Sequence, residues 1–451
     1  VDTPTVRKLA LSDISIHFTA KVLDDVIKKV GGTKCTGHSF GTGFSKGDSY
    51  LSQVFRLMVN GIDEGSGELK EVNLIVKSMS KNADRRKLFR SSDFFRNEIN
   101  FYNKVIPIFE EFQKKKNIKN PFDEYPRCFA TYCDGSNDFI ALEDVGFFGY
   151  TAPSRFDSLD FEHCKLIMKS LGRFHALSLA IKDQEPKKFE EMSSSIEETY
   201  YSEQFKDWYM PFLKDCIHVA MDAVTREYPG TIYEEKARRF LTEHLYDRLI
   251  HYVSERTRFS TITHGDCWTP NFLNKECSAV KIIDFQLART SSPAVDITFF
   301  IYSCTNGEFR DKYYEDILKA YHTSASDLIK ELGSDPVQVF PYSALKDELE
   351  KFGGFGCGMG IESLPISMLE NDEVADLEAI NGEHAILTDV WKIYPLNSKE
   401  QRLRIADAFK HAIDNGYIKI NFNGIIHITY YGCMLLEYEN TIQLRFLVEF
   451  K

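Results

Sequence analysis

Three polar residues at fixed intervals constrain this chain more than any other feature: the Asp of His264-Gly265-Asp266, Asn271 five positions later, and Asp284 eighteen positions after Asp266. Between them lie two short apolar runs, Phe272-Leu273 and Val280 to Ile283, joined by the polar stretch Asn274 to Ser278. That pattern predicts a tight hairpin, which returns Asn271 and Asp284 to the same end. Such a set suits phosphoryl transfer, whose transition state carries its charge on non-bridging oxygens and is served mainly by positioning a donor, an acceptor and Mg²⁺. Magnesium takes oxygen ligands and keeps several waters, so one carboxylate and one amide oxygen suffice from the protein. Asp284 and Asn271 fit as the metal ligands, and Asp266 faces the acceptor hydroxyl.

An isolated His-x-Asp is common by chance, and an Asp after an apolar strand often just caps a turn. The ordered combination is far more specific, and the rest of the chain accommodates it. With 451 residues there is enough length for two lobes with a substantial core. A net charge of −12 argues against nucleic acid or an anionic membrane as the main partner. No apolar run has the length of a membrane span. The ten cysteines are scattered, with no CxxC pair, which suits free thiols in a reducing compartment. With no apolar signal region at its start, the chain is expected to be cytoplasmic.

The first third reads as a small sheet with a helix. Tyr50 to Val59 and Val72 to Lys77 form a strand pair around a turn at Gly61 to Gly67, and Arg127 to Cys133 and Asp138 to Leu142 form another. Between the pairs, Phe94 to Ile106 has helical spacing that Pro107 is expected to close. From about Asp160 the pattern is helical, with stretches at Phe161 to Ile181, Tyr233 to Val253, Asp311 to Leu332 and Lys399 to Ile413. The expected organisation is a nucleotide-binding lobe at 1–144, a connector at 145–159, a helical lobe at 160–417 and an atypical tail at 418–451. A nucleotide would lie in the cleft between the lobes.

Two small-lobe residues complete the set. Lys77 ends an alternating strand and Glu98 lies on the following helix, the arrangement in which a lysine held by a glutamate orients nucleotide phosphates. Upstream, Gly41-Thr-Gly43 and Lys46-Gly47-Asp-Ser49-Tyr50 offer a glycine-rich loop, spaced GxGxxxG, where Ser49 and Ser52 are placed to donate to a phosphate. A plain glycine-rich turn is almost as good a reading of that stretch.

From about Gly47 to Gly416 the chain resembles the ecdysteroid kinase-like family, a branch of the choline-kinase and aminoglycoside-phosphotransferase-like proteins. The resemblance is carried by Lys46-Gly-Asp-Ser-Tyr-Leu-Ser52, Phe95-Arg-Asn-Glu98, Leu142-Glu143-Asp144, Leu171-Gly-Arg-Phe-His-Ala176, His264-Gly-Asp-Cys-Trp268 with Asn271, Asp284-Phe-Gln286 and Pro293-Ala-Val-Asp296. It implies an α+β, bilobal protein-kinase-like fold with an antiparallel small lobe and a larger helical lobe. It implies ATP and Mg²⁺ as cofactors and a hydroxylated small molecule, ecdysteroid-like or otherwise apolar, as acceptor. Carried onto matching positions, Asp266 is the base, Asn271 and Asp284 are the metal ligands, and Lys77 is the phosphate contact with Glu98 as its partner. Leu142 to Asp144, with Glu143 between them, line the adenine edge through backbone groups. His175 and Asp296 match as well, and structural roles suit them better.

Gly265 and Gln286 stand where protein kinases carry Arg and Gly, which favours a small-molecule acceptor over a protein. Pro270 departs from relatives that carry a second Asn. Phe352-Gly-Gly-Phe-Gly-Cys-Gly-Met-Gly360 reads as a helix-breaking glycine run that either lets a ligand approach backbone or forms a loop. Two alternatives stay open: a kinase for choline, an amino sugar or another cationic alcohol, which predicts an acidic acceptor pocket, and a catalytically silent ligand-binding protein.

Overall fold

Alternation of apolar residues builds the small lobe. In the computed structural model, which describes residues 9–42, 52–369, 386–419, 437–438 and 441–442, the strands β1 (Lys34–Phe40), β2 (Ser52–Ile62), β3 (Leu69–Met79), β4 (Cys128–Tyr132) and β5 (Phe139–Glu143) form one antiparallel sheet in the order β1-β2-β3-β5-β4. The β2–β3 turn is closed by Asp63, whose carboxylate accepts from the Gly65 amide and the Ser66 hydroxyl, while Gly67 takes a positive φ of 74°. On β3, Leu74 and Val76 are buried with Leu57, Val59 and the helix Ala20–Lys28 on one face. Period-two alternation sends Ile75 and Lys77 to the opposite face, towards the cleft.

Helix Ser91–Asn100 runs into a π-helical turn, Phe101–Val105, and then into Ile106–Lys116. Pro107 therefore does not end the helix as its ring would suggest. The wider turn before it absorbs the missing N–H and the clash with the preceding carbonyl, so the chain stays helical through the proline.

The large lobe is helical, and at its centre the helix Pro293–Cys304 has every residue buried. A helix enclosed on all sides shows no amphipathic period, which is why periodicity overlooks it. Against it packs Gly354–Ser367, also wholly buried. The glycine run expected to break a helix lies inside this one. A Cβ on Gly356 would stand 2.4 Å from the Thr298 backbone, and one on Gly358 would stand 2.5 Å from Leu249. The glycines are close-approach points between helices, and that packing overrides their low helix propensity. The stretch at Tyr233 to Val253 divides into Ile232–Phe240 and Leu245–Ser254. The break is held by Arg248, which donates to the carbonyls of Arg239 and Phe240 at the end of the first helix.

Three short antiparallel pieces carry the polar set. Strands β6 (Thr261–Thr263) and β9 (Arg289–Ser291) pair with each other, and β7 (Phe272–Lys275) and β8 (Ala279–Ile282) form the expected hairpin. Glu276 and Cys277 turn that hairpin with φ of 46° and 54°. The chain divides into two units, Val1–Ile418 and Lys419–Lys451. In the second, the two-residue strands Glu437–Tyr438 and Thr441–Ile442 pair antiparallel; of the tail expected at 418–451, residues 420–436, 439–440 and 443–451 lie outside the described residues. Among the described residues, no helix is long and apolar enough to cross a membrane.

Candidate active site

Lys77 joins the two lobes. Its ammonium lies 3.0 Å from both carboxylate oxygens of Glu98 and 2.9 Å from Oδ1 of Asp284. Burial alone would lower its pKa, but the charges of Asp284 and then Glu98 outweigh that and hold it above the ordinary lysine value. Glu98 is itself buried at 3% exposure, and the loss of solvent pushes its carboxyl upward against the pull of Lys77.

Asp284 follows β8 in the left-handed region, with φ 70° and ψ 62°, a conformation Asp tolerates better than most residues. The β7–β8 register places the Ile283 amide 3.0 Å from the Asn271 carbonyl, so the hairpin delivers Asn271 and Asp284 together. Asn271 donates its Nδ2 to the backbone carbonyl of Asp266 at 2.9 Å. Its amide oxygen thereby points away from that bond.

The loop bearing Asp266 is fixed by buried polar contacts. Asp296, fully buried, accepts from the amides of His264 at 2.6 Å and Gly265 at 2.9 Å, and its Oδ2 lies 3.0 Å from Nε2 of His175. His175 meets the Tyr321 hydroxyl through Nδ1 at 2.8 Å. His264 accepts from the Asp266 amide through Nδ1, so its Nε2 carries the proton donated to the Ile283 carbonyl. Burial lowers the His264 pKa, in keeping with that neutral tautomer. Gly265 has φ 83°, and a Cβ there would stand 2.0 Å from the Leu287 carbonyl oxygen. Sequence comparison with protein kinases marked Gly265 as a lost Arg; the fold adds that no side chain fits.

Asp266 is half-buried in the cleft floor. Burial, and next the charge of Asp284, pushes its carboxyl up to about 8. Glu98, Asp266 and Asp284 thus crowd together with Lys77 as the cation in contact, leaving the cluster short of positive charge. The donors on offer, one carboxylate and one amide oxygen, are hard oxygen ligands, and a divalent cation suits both that chemistry and the charge deficit. Among the described residues no group of three or more acidic, His or Cys side chains forms a protein-only metal cage. Asp284 and Asn271 therefore fit a Mg²⁺ ion that takes most of its ligands from phosphate and water.

The cleft between the lobes has a volume of about 700 Å³. Lys77, Glu98, Asp266, Asn271 and Asp284 all line it, as do Ser52, Glu143 and Asp144. Asp144 is tied by its side chain to Arg56 at 2.8 Å and to the Gly146 amide, so its carboxylate braces the connector. Gly47 and Ser49 lie outside the described residues.

Sequence reasoning missed two residues that shape this cleft. Asn97 donates to the carbonyls of Gln286 and Ala288 at 3.0 and 2.8 Å, fastening the Glu98 helix to the loop that follows Asp284. It stands beside Glu98 in the motif already singled out, but its partners lie almost two hundred positions away. Glu362 lines the far side of the cleft, and its signal was available: it is the only charged residue between Phe352 and Leu369.

A sheet-borne lysine clamped by a helix glutamate, facing an Asp–Asn–Asp set on a helical lobe, defines a protein-kinase-like fold of the small-molecule phosphotransferase kind. The chain belongs to the ecdysteroid kinase-like family, whose model matches residues 46–334. None of the curated proteins matches the chain. Similar solved structures include an ethanolamine kinase from Plasmodium vivax, 14% identical over 76% of this chain and 78% of that one, with a TM-score of 0.33. The choline kinase LicA from Streptococcus pneumoniae is 13% identical over 77% and 98%, with a TM-score of 0.31. The macrolide 2'-phosphotransferase MphH from Brachybacterium faecium is 12% identical over 75% and 91%, also at 0.31.

Proposed function

We propose that the protein is an ATP-dependent small-molecule kinase that transfers the γ-phosphoryl group to a hydroxyl of an ecdysteroid-like or other hydroxylated apolar metabolite. The observation that carries this reading is the Lys77 bridge to Glu98 and Asp284 within one cleft that also holds Asp266 and Asn271. Lys77, fixed by Glu98, orients the nucleotide phosphates. Asn271 and Asp284 would hold Mg²⁺, which would neutralise charge on the phosphoryl oxygens. Asp266 accepts the proton of the acceptor hydroxyl as its oxygen bonds to the γ-phosphorus and the bond to the bridging oxygen breaks, releasing ADP. A cation held at Asp284 would lessen that residue's contribution to the raised Asp266 pKa and so favour the ionised form a base requires.

On the acceptor side, Phe89, Phe94, Trp208, Trp268, Ile366 and Trp391 give the cleft apolar walls. With Glu362 as the carboxylate set among them, these walls favour a hydrophobic alcohol over a polycationic amino sugar, which needs several carboxylates. An ATP-consumption assay across hydroxysteroids, choline and plant glycosides, with Asp266→Asn alongside, tests the reading. Turnover of a hydroxysteroid that is lost in the variant is expected. Turnover of choline with no steroid would overturn the substrate class, and no turnover with no thermal stabilisation by Mg-ATP would overturn the kinase assignment.

A further inference from the structure

Glu362 is a buried carboxylate in an apolar setting. It lies on the helix Gly354–Ser367, is 6% exposed, and lines the cleft among Phe94, Tyr200, Trp208, Met359 and Trp391. Among the described residues no cation pairs with it. Its partners are two tyrosines: the Tyr200 hydroxyl donates to Oε1 at 2.5 Å, and the Tyr209 hydroxyl donates to Oε2. Burial pushes the Glu362 carboxyl up to about 7 despite both bonds. A buried carboxylate with no cation carries a desolvation cost that satisfying two tyrosine hydroxyls does not by itself require, since the neutral amide oxygen of a glutamine also offers two lone pairs.

A carboxylate offers about four acceptor positions, and two neutral donors use two of them. The remaining acceptor capacity belongs to a side chain that lines the cavity. Tyr200 and Tyr209, locked in an aromatic cluster with Trp208, fix the rotamer of Glu362, so this capacity is preorganised. The Glu362 charge also reaches Asp266, which places both carboxyls on one cavity. A quaternary ammonium would meet the Glu362 charge and the aromatic faces but leave the oriented lone pairs unused, whereas a hydroxyl uses them directly.

We propose that Glu362, oriented by Tyr200 and Tyr209, accepts a hydrogen bond from a second hydroxyl of the acceptor, making the substrate an apolar molecule with at least two hydroxyls, one presented to Asp266 and one anchored at Glu362. This rests on the phosphoryl-transfer reading for its geometry, but its test does not require turnover. All three tryptophans of the chain, Trp208, Trp268 and Trp391, line the cleft, so intrinsic fluorescence reports on its occupancy.

The experiment titrates the full chain with a steroid diol and its mono-deoxy counterpart, in wild type, Glu362→Gln and Glu362→Leu, with choline as a further ligand. A site that hydrogen-bonds a substrate hydroxyl discriminates strongly against the analogue lacking it. Wild type is expected to bind the diol about 10-fold or more tightly than the mono-ol. Glu362→Leu is expected to bring that ratio near one, with Glu362→Gln between and the thermal shift produced by Mg-ATP unchanged in both. An unchanged ratio in the variants, or equal weakening of both steroids, would reduce Glu362 to a packing residue. Should Glu362→Leu fail to fold, the Glu362→Gln ratio decides alone. Choline binding tighter than either steroid, and lost in the variants, would overturn the hydroxyl in favour of a cation. A diol preference without turnover leaves the anchor standing and removes the kinase reading; turnover without the preference does the reverse.

Discussion

Replacing Asp266 by Asn should abolish activity and at the same time stabilise the unliganded protein. The ordinary carboxyl value of 3.8 rises to about 8 in the folded chain, first through burial and then through Asp284. A group whose folded pKa is raised contributes no penalty below its unfolded value, and the penalty grows as pH climbs towards the folded value. At pH 7 the span above 3.8 is about three units, worth about 1.4 kcal/mol each, which sets a ceiling of ~4 kcal/mol. Because Asp266 keeps partial contact with solvent, screening should reduce this to roughly 2 kcal/mol. The assay is thermal or urea unfolding of both proteins in EDTA between pH 5 and pH 8, with phosphoryl transfer measured in parallel. The variant's advantage should be smallest at pH 5, about one unit above the unfolded value, and widen to several degrees at pH 8. Its kcat should fall by on the order of 10³. A stability gap that does not vary with pH, or a variant less stable than wild type at pH 8, would refute the electrostatic reasoning.

Gly265→Ala forces a Cβ to within 2.0 Å of the Leu287 carbonyl at a φ of 83°, and the urea midpoint should show a loss of about 3 kcal/mol or more. Lys77→Met removes the cation from Glu98 and Asp284. Because the Glu98 pKa is already raised, the destabilisation should be larger at pH 8 than at pH 6, where Glu98 takes up a proton; a loss that is the same at both pH values in pH-resolved unfolding would show that the pair contributes nothing. Asn97→Ala takes the side-chain donor from the Ala288 carbonyl and leaves the Gln286 carbonyl only the Thr199 hydroxyl at 3.3 Å; it should cost about 2 kcal/mol, with a fall in kcat if the Glu98 helix and the Asp284 loop act as one unit.

The sequence determined the chemistry that is local in the chain. His264 to Asp284 spans one loop and one hairpin, so its spacing alone brought Asn271 and Asp284 to the same end, and strand alternation put Lys77 on the cleft face. The expected Lys77–Glu98 partnership is present at 3.0 Å, and the antiparallel small lobe and helical large lobe follow the periodicities that were legible. What the tertiary structure decided is where local rules were overruled by packing. The glycine run from Phe352 became a buried helix because Thr298 and Leu249 press against it, and Pro107 stayed helical because a π-turn absorbs its ring. Asn97 and Glu362 acquired their meaning from partners far away in sequence: the Gln286 carbonyl for one, the Tyr200 and Tyr209 hydroxyls for the other. Periodicity and motif spacing record a residue's relation to its neighbours along the chain, whereas the hydrogen bond that gives a buried polar side chain its role depends on which distant segments the core brings together.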